Sequence, residues 1–574
     1  MKKTGAQILC ESMVKDGVEV IFGFPGGVVL PLYDILPQYP QLRHILVRHE
    51  QGAAHAADSY ARATGKVGVC LATSGPGATN LVTGIANAYL DSSPIVAITG
   101  QVPRPLIGKD AFQEIDITGI TLPITKHNYL VTDASSMAKT VKEAFHLART
   151  GRPGPILIDI PRDVFVEQSE FHYPSKADLP GYQPTLKGHP AQIKKAAKLI
   201  NEAKRPVIIA GRGVLISGAH TKLKDLAETS QIPVVTTLLG IGSFPETHIL
   251  SFGMLGMHGM AYANKAVDGA DLLIAIGMRF DDRVTGKISG FAPHASIIHI
   301  DIDPAEIGKN IRVDVPIVGD VKSILQALNK LATSAGHIDW IQQLDDWRKK
   351  HPSTDIRDSE GLLPQYVVRK IYEATKGEAI ITTGVGQNQM WAAQYYLYTK
   401  PDKFISSGGL GTMGFGLPAA IGAKVGCPDS TVWCIDGDGS LQMTIQELAT
   451  IAQERLAVKI AVLNNGYLGM VRQWQEFFYE KRYVATPLSC PDFVKIAEAY
   501  GLPGLRVTRR EEVVPAIKRA MDEDGPFLID FAIEPEENVY PMVPPGAAIV
   551  ELLEGPKKEP KAVSESAKLP VSNI

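Results

Sequence analysis

Two short segments of this 574-residue chain carry the residue types needed to hold a metal ion and a diphosphate. Asp436-Gly437-Asp438-Gly439-Ser440 follows the apolar run Val432–Ile435, and Asn464-Asn465 follows Ile460–Leu463. Each run reads as a buried strand of a parallel sheet. Ligands of such sheets collect at the carboxyl ends of the strands. Asp438 and Asn465 then offer two hard oxygen ligands side by side, a set suited to Mg²⁺ carrying a diphosphate. Gly437 and Gly439 let backbone amides approach phosphate oxygens closely. A helix expected to start near Leu441, just after Ser440, points its positive end at the same place. A lone Gly-Asp-Gly is more often a plain turn. The second segment, with 24 residues between Gly439 and Asn464, makes the pair specific.

The elements that must position these groups fall into three blocks of alternating strand and helix pattern. That pattern implies an α/β fold of three doubly wound parallel-sheet domains. In the first block, residues 1–180, strand Val67–Ala72, turn Gly75-Pro76-Gly77, helix Ala78–Leu90 and strand Ile95–Thr99 make one βαβ unit. The second block, 190–340, opens with strand Pro206–Ala210 and repeats the apolar pattern at Leu272–Ile276 and Ile297–Ile300. The third, 361–535, carries the two opening segments. Asp163–Pro190 and Ser334–Glu360 read as linkers, although the latter contains a helix-like stretch, Trp340–Lys349. Residues 536–574 form a C-terminal extension that is expected to be disordered after about residue 555.

Composition excludes several classes. Apolar residues make up 45% of the chain, charged residues 21%, and the net charge is −3, so a soluble globular protein is expected and nucleic acid is not the partner. Five scattered cysteines without a CxxC spacing fit a reducing cytoplasm. No targeting segment precedes the first amphipathic pattern. Ile405–Ala423 spans 19 residues without a charge, but its six glycines and one proline favour a buried turn and helix over a membrane span.

Other candidates are ordinary when taken singly. Glu50, after the short strand Ile45–Val47 and before an Ala-rich helix, reads first as an acid at a helix start. Met413, inside the glycine-rich Gly408–Gly416, reads as core filling. Gly211-Arg212-Gly213 after a strand is a partial dinucleotide fingerprint, and Asp301 at a strand end suits ribose hydroxyls. The run Gly277–Gly286, with Arg279-Phe280-Asp281-Asp282-Arg283, reads as a charged surface loop.

Taken together they are more specific. With Phe22–Gly27, Arg48-His49-Glu50, Thr73–Gly77, Asp110–Glu114, Gly151–Pro155 and Gln473-Trp474-Gln475, the chain from about residue 4 to 550 resembles the acetohydroxyacid synthase (acetolactate synthase) family. The likeness is to the biosynthetic, FAD-containing catalytic subunits of this branch of the thiamine-diphosphate-dependent enzymes. The resemblance implies an N-terminal domain for the thiamine pyrimidine, a central FAD-binding domain, and a C-terminal thiamine-diphosphate and Mg²⁺ domain followed by a lid. It implies that Glu50 meets the aminopyrimidine N1′ of a cofactor held by the opposite subunit, where it should be desolvated. Gln113, Phe112 and Gly27 would line the reaction pocket, and Met413 would bend the cofactor. Gln387, Asn388 (where relatives often have His), Gly411, Gly437, Gly439, Ser440 and Met470 would contact thiamine diphosphate. Asp438, Asn465 and Tyr467 would hold Mg²⁺. Arg152, Gly211, Gly213, Met257, His258, Arg279, Asp301 and Asp320 would contact a non-redox FAD.

The implied activity is carboligation. Pyruvate is decarboxylated, and its two-carbon unit joins a second pyruvate, giving 2-acetolactate, or 2-oxobutyrate, giving 2-aceto-2-hydroxybutyrate, in branched-chain amino-acid biosynthesis. Arg283 and Trp474 would select the second keto acid. The alternative is a pyruvate oxidase with the same two cofactors. The family further implies a homodimer or homotetramer and a small regulatory subunit.

Overall fold

The computed structural model describes residues 2–333 and 336–555, so the tail expected to be disordered lies outside the described residues. Three six-stranded parallel sheets form the molecule, each built from the apolar runs of one block. The first comprises β1 (Val20–Gly23), β2 (Arg43–Leu46), β3 (Gly68–Ala72), β4 (Ile95–Gln101), β5 (His127–Leu130) and β6 (Ile156–Pro161). Its order is β2-β1-β3-β4-β6-β5. The second comprises β7 (Pro206–Ala210), β8 (Val234–Thr236), β9 (Ser251–Met254), β10 (Leu272–Ile276), β11 (Ser296–Asp301) and β12 (Val315–Val318), in the order β9-β8-β7-β10-β11-β12. The third comprises β13 (Ile380–Thr383), β14 (Phe404–Ile405), β15 (Val432–Gly437), β16 (Val458–Asn464), β17 (Gly504–Val507) and β18 (Phe527–Ala532), in the order β14-β13-β15-β16-β18-β17.

The outer two sheets therefore share one topology, and the middle sheet has the 3-2-1-4-5-6 order of dinucleotide-binding folds. Each has a point where the chain reverses its direction across the sheet: between β1 and β3, between β7 and β10, and between β13 and β15. Crevices that bind ligands open at such points, beyond the carboxyl ends of the strands. Most predicted site segments follow one of these strands or its neighbour, whereas Arg152 precedes β6, and Met257, His258 and Asp320 follow the edge strands β9 and β12.

The outer domains are welded along α1 (Glu50–Thr64) and a helix of the C-terminal domain, α3 (Gly416–Gly426). The alanines of α1 are small enough for the backbones to touch. A Cβ on Gly422 would stand 2.0 Å from the Ala56 carbonyl oxygen, so that position admits no side chain. This contact explains the uncharged stretch Ile405–Ala423: α3 is buried between two sheets. No helix among the described residues is long and apolar enough to cross a membrane.

The segments read as linkers are more structured than composition suggests. The helix Arg162–Val166 and the strand Gln168–Glu170, antiparallel to Lys2–Thr4, occupy the first part of 163–190. Between the central and C-terminal sheets runs α2 (Ile338–Lys350). It buries Trp340 and Leu344 and donates from Trp340 Nε1 to the Pro206 carbonyl at 3.1 Å. Its charged outer face is what made this stretch resemble a linker.

Candidate active site

The β13/β15 crevice collects the phosphate-and-metal candidates. β15 runs on through Asp436 and Gly437, and the following helix, α4 (Asp438–Gln442), starts three residues before the expected Leu441. Asp436 is fully buried beneath the crevice, and a Cβ on Gly384 or Gly416 would collide with its carboxylate, so it supports the turn rather than facing a ligand. Burial pushes Asp436 up to about 7. Asp438 is 2% exposed, and burial pushes it up to about 6, against hydrogen bonds from Cys490 and from backbone amides. Its Oδ2 accepts from Gly466 N at 2.8 Å and from Cys490 Sγ at 3.1 Å.

Asn465 donates to Gln387 Oε1 at 3.1 Å and accepts from Tyr467 N at 3.1 Å. Asn465, Tyr467 and Gln387 thus form one hydrogen-bonded cluster, and Asp438 is tied to the same loop through Gly466 N. Among the described residues no three His, Cys, Asp or Glu side chains gather as a metal cage. A cation here would be held by one carboxylate, amide or carbonyl oxygens and a ligand's phosphates, the donor set Mg²⁺ takes. Ser440 Oγ accepts from Gly414 N at 3.0 Å and ties the glycine-rich segment to α4. Met413 lies over Gly439, its Cε 3.6 Å from where a Cβ there would sit. Asn388 turns inward and donates to the Ile435 carbonyl at 3.1 Å.

The N-terminal candidates form a second group. α1 starts at Glu50 itself, with His49 as its N-cap, and Glu50 is 8% exposed. The Glu50 carboxylate accepts from Asn80 Nδ2 at 2.9 Å. Gly77 leaves room beside its other oxygen, since a Cβ there would stand 3.2 Å from Glu50 Oε1 and 2.7 Å from Thr73 Cγ2. Gln113 holds φ of 60° and packs its backbone on Gly75. Phe112 beside it is 89% exposed, and Gly27 faces open space. The hydrogen bonds of Glu50 and Gln113 reach no phosphate or metal candidate of the same chain among the described residues.

The third group surrounds a cavity of about 1420 Å³ at the β7/β10 crevice. Arg152, Gly213, Met257, His258 and Arg279 line it, as do Asp301 and Asp320. Gly211 sits behind the wall instead, where a Cβ would stand 2.2 Å from the Gly277 carbonyl oxygen. Burial raises Asp301 to about 6 and lowers His258 to about 4. On its other side the same cavity is lined by Gly411 and Met470 of the C-terminal domain and by Arg283 and Trp474. The space exceeds the ~300–1,000 Å³ of a small-ligand pocket. It has room for a dinucleotide and a small acid together.

Comparison with known proteins decides the family. Models of the thiamine pyrophosphate enzyme N-terminal TPP-binding, central and C-terminal TPP-binding domains match residues 3–120, 193–328 and 384–531. The acetolactate synthase of Mycobacterium leprae is 54% identical over 562 residues, covering 96% of this chain and 90% of that protein. The acetolactate synthase large subunit of Corynebacterium glutamicum is 52% identical over 559 residues, covering 95% and 89%. A probable acetolactate synthase large subunit of Methanocaldococcus jannaschii is 51% identical over 571 residues, covering 97% and 96%. This chain belongs to the acetolactate synthase family.

Several residues of this fold touch the candidate groups without being candidates themselves. Glu447, fully buried, accepts from Arg48 N and His49 N at 3.0 Å each, pinning from the C-terminal domain the turn that presents Glu50. Asp91 accepts from Gly408 N at 3.1 Å and Gly409 N at 2.6 Å, and pairs with buried Arg62 at 2.8 Å. Arg212 joins this knot through Ser93 Oγ at 3.1 Å. Gln473 accepts from Gln387 Nε2 at 2.9 Å. Glu447 and Asp91 are ordinary residues that bond elements distant in sequence, so only the tertiary fold exposes them, whereas Arg212 and Gln473 lie in segments noted in the sequence and gain their contacts from the fold.

Proposed function

We propose that this chain is a thiamine-diphosphate-dependent carboligase. It decarboxylates pyruvate and joins the two-carbon unit to a second pyruvate or to 2-oxobutyrate. The observation that carries this reading is the shared cavity. Arg283 and Trp474, a cation and a flat apolar wall, line the same cavity as Gly411 and Met470, and its volume supports room for a second keto acid.

Bound thiamine diphosphate supplies the electron sink for decarboxylation and carbon–carbon bond formation. The residues present fit that group. Asp438, Asn465 and Tyr467 would hold Mg²⁺ on the diphosphate. The amide-rich turns at Gly437–Ser440 and Gly411–Gly414 leave space for it, and Met413 lies where it would support the ring system. Glu50, through Oε1, would hold and move a proton at the pyrimidine. Arg283 is loosely held, its guanidinium 3.5 Å from Met257 Sδ and 3.8 Å from Asp282 Oδ2. It is therefore available for a charge-assisted bond to the acceptor's carboxylate. Trp474 packs edge-on against Phe478, ring centroids 5.6 Å apart. That fixed wall favours an acceptor with one more methylene. FAD would be held along the β7/β10 crevice, where Asp301 suits its ribose hydroxyls and Arg152, Gly213 and Arg279 line the cavity as further contacts.

The reading is tested by incubating the protein in air with pyruvate, thiamine diphosphate, Mg²⁺ and FAD. The expected product is 2-acetolactate, measured as acetoin after acid treatment, without stoichiometric hydrogen peroxide. Peroxide with acetate or acetyl phosphate would instead assign the oxidase reaction and leave Arg283 without an acceptor.

The active site is proposed to form between two chains, with Glu50 of one facing Asp438 of the other. Supporting this, Phe112 and Leu122 stand 89% and 67% exposed on the N-terminal domain, which suits a covered face. A dimer at least is expected at working concentration, with a smaller regulatory subunit as a further partner. Sedimentation of a fully active monomer would remove the shared-site arrangement.

A further inference from the structure

The two walls that select the acceptor belong to different domains, and one stretch of chain is bonded to both. Trp474 lies on α5 (Gly469–Phe478), and Arg283 lies on the short helix Asp282–Thr285 that follows β10. Met470, Val471, Trp474 and Gln475 of α5 face the cavity, whereas Arg472 and Gln473 are fully buried on the opposite side. That buried face is bonded to residues 537–539. Arg472 donates to the Glu537 carbonyl at 3.1 Å and to Asn538 Oδ1 at 2.6 Å, and Asn538 donates back to Glu476 at 2.9 Å. Gln473 pairs with the Val539 backbone in both directions, at 2.8 and 3.1 Å.

The same arm then crosses to the central domain. Val543 N donates to the Met257 carbonyl at 2.8 Å, and Met257 N donates to the Arg283 carbonyl at 2.8 Å. Lys287 N donates to the Ala547 carbonyl at 3.0 Å, and Gly286 bridges to Ala548. Buried Asn264 locks this end, donating to the Gly256 carbonyl at 3.0 Å and the Ile549 carbonyl at 2.9 Å while accepting from Gly256 N at 2.8 Å. Between Val539 and Val543 the arm can span no more than about 14 Å. Pro541, Pro544 and Pro545 restrict its backbone further.

We infer that residues 537–549 are a gauge that sets the separation of Trp474 from Arg283, with Arg472, Asn538 and Asn264 as positioning residues for acceptor choice. The inference rests on the acceptor-site reading of Arg283 and Trp474. A pocket that separates two acids differing by one methylene works over differences of about tenfold or more, and its walls must stay in register to do so. Releasing the arm at either end lets one wall move relative to the other.

The test uses the full-length protein with its cofactors and a mixture of pyruvate and 2-oxobutyrate in one vessel. The ratio of the two products is then independent of how much enzyme is folded. Asn538→Ala, at the Trp474 end, is expected to reduce the wild-type product ratio toward that of unselective use of both acids, while turnover with pyruvate alone changes far less. Asn264→Ala, at the Arg283 end, carries the same expectation and stands in if the first variant does not fold. Ratios within about twofold of wild type in the folded variants overturn the inference. Hydrogen exchange gives a readout independent of catalysis. Asn538→Ala should speed exchange of the remote amides Met257 and Lys287, and unchanged protection there overturns the gauge even in an active enzyme. If the wild-type protein makes neither product while Asn538→Ala still loses protection at Met257 and Lys287, the functional reading alone fails.

Discussion

Glu50→Gln is expected to lower turnover by about 10²- to 10⁴-fold, the usual contribution of a positioned acid–base group, while leaving thiamine diphosphate affinity within a few-fold of wild type. The substitution isolates proton transfer from shape. Glutamine fills the same space at the start of α1, and its side-chain oxygen can accept the Asn80 bond that Glu50 takes at 2.9 Å. What it cannot do is carry a proton on and off Oε1, the oxygen beside Gly77 that takes no side-chain hydrogen bond among the described residues. The helix N-terminus favours a negative charge at this position, so the neutral variant also forgoes a small stabilisation, ~0.3–1 kcal/mol. That is too small to unfold the domain. Calorimetric binding with steady-state kinetics on the same preparation checks the prediction. Wild-type turnover would remove Glu50 from the mechanism, and lost binding with lost turnover would make its role structural.

How much of this was legible beforehand depended on whether the deciding interaction was local. Pro206–Ala210, Leu272–Ile276 and Ile380–Thr383 are strands with the expected ends, because continuous apolar runs in buried parallel sheets leave little choice. The start of α4 at Asp438 lies three residues before the expected Leu441, since extended Gly437 decides it rather than hydrophobic periodicity. The expected helix Ala78–Leu90 is two helices, Pro76–Asn80 and Val82–Leu90. Within the site, the position of Asp438 and Asn465 at strand ends was readable because each follows its strand directly. Glu447 and Asn538 were not. One is a glutamate in a helical pattern and the other a polar residue in a proline-bearing extension, and their importance comes only from which backbone groups they meet across domains. Gly211 shows the converse, since its motif was visible while its structural reason is the close approach of Gly277.

Asp438→Ala is expected to abolish the Mg²⁺-dependent part of cofactor binding altogether. At about 100 times its dissociation constant, a ligand that binds only the folded state raises stability by ~2.7 kcal/mol. Wild-type protein should show a thermal shift of that origin when thiamine diphosphate and Mg²⁺ are added together, and the variant should show almost none. The reason is local. Among the described residues Asp438 is the carboxylate at the mouth of this crevice, since Asp436 points beneath it into the space left by Gly384 and Gly416. A divalent ion bridging to a diphosphate keeps several waters and needs at least one anionic protein ligand, and amide oxygens alone do not replace that charge. The fold itself should survive the change. Asp438 makes its bonds to Gly466 N and Cys490 Sγ, both at the rim, and removing a buried carboxylate that burial already holds up near 6 costs the unliganded protein little. An unliganded melting temperature near that of wild type, together with loss of the cofactor-induced shift, therefore identifies a metal ligand. A retained shift would place the metal elsewhere, and a collapsed unliganded protein would make Asp438 part of the turn that it only begins.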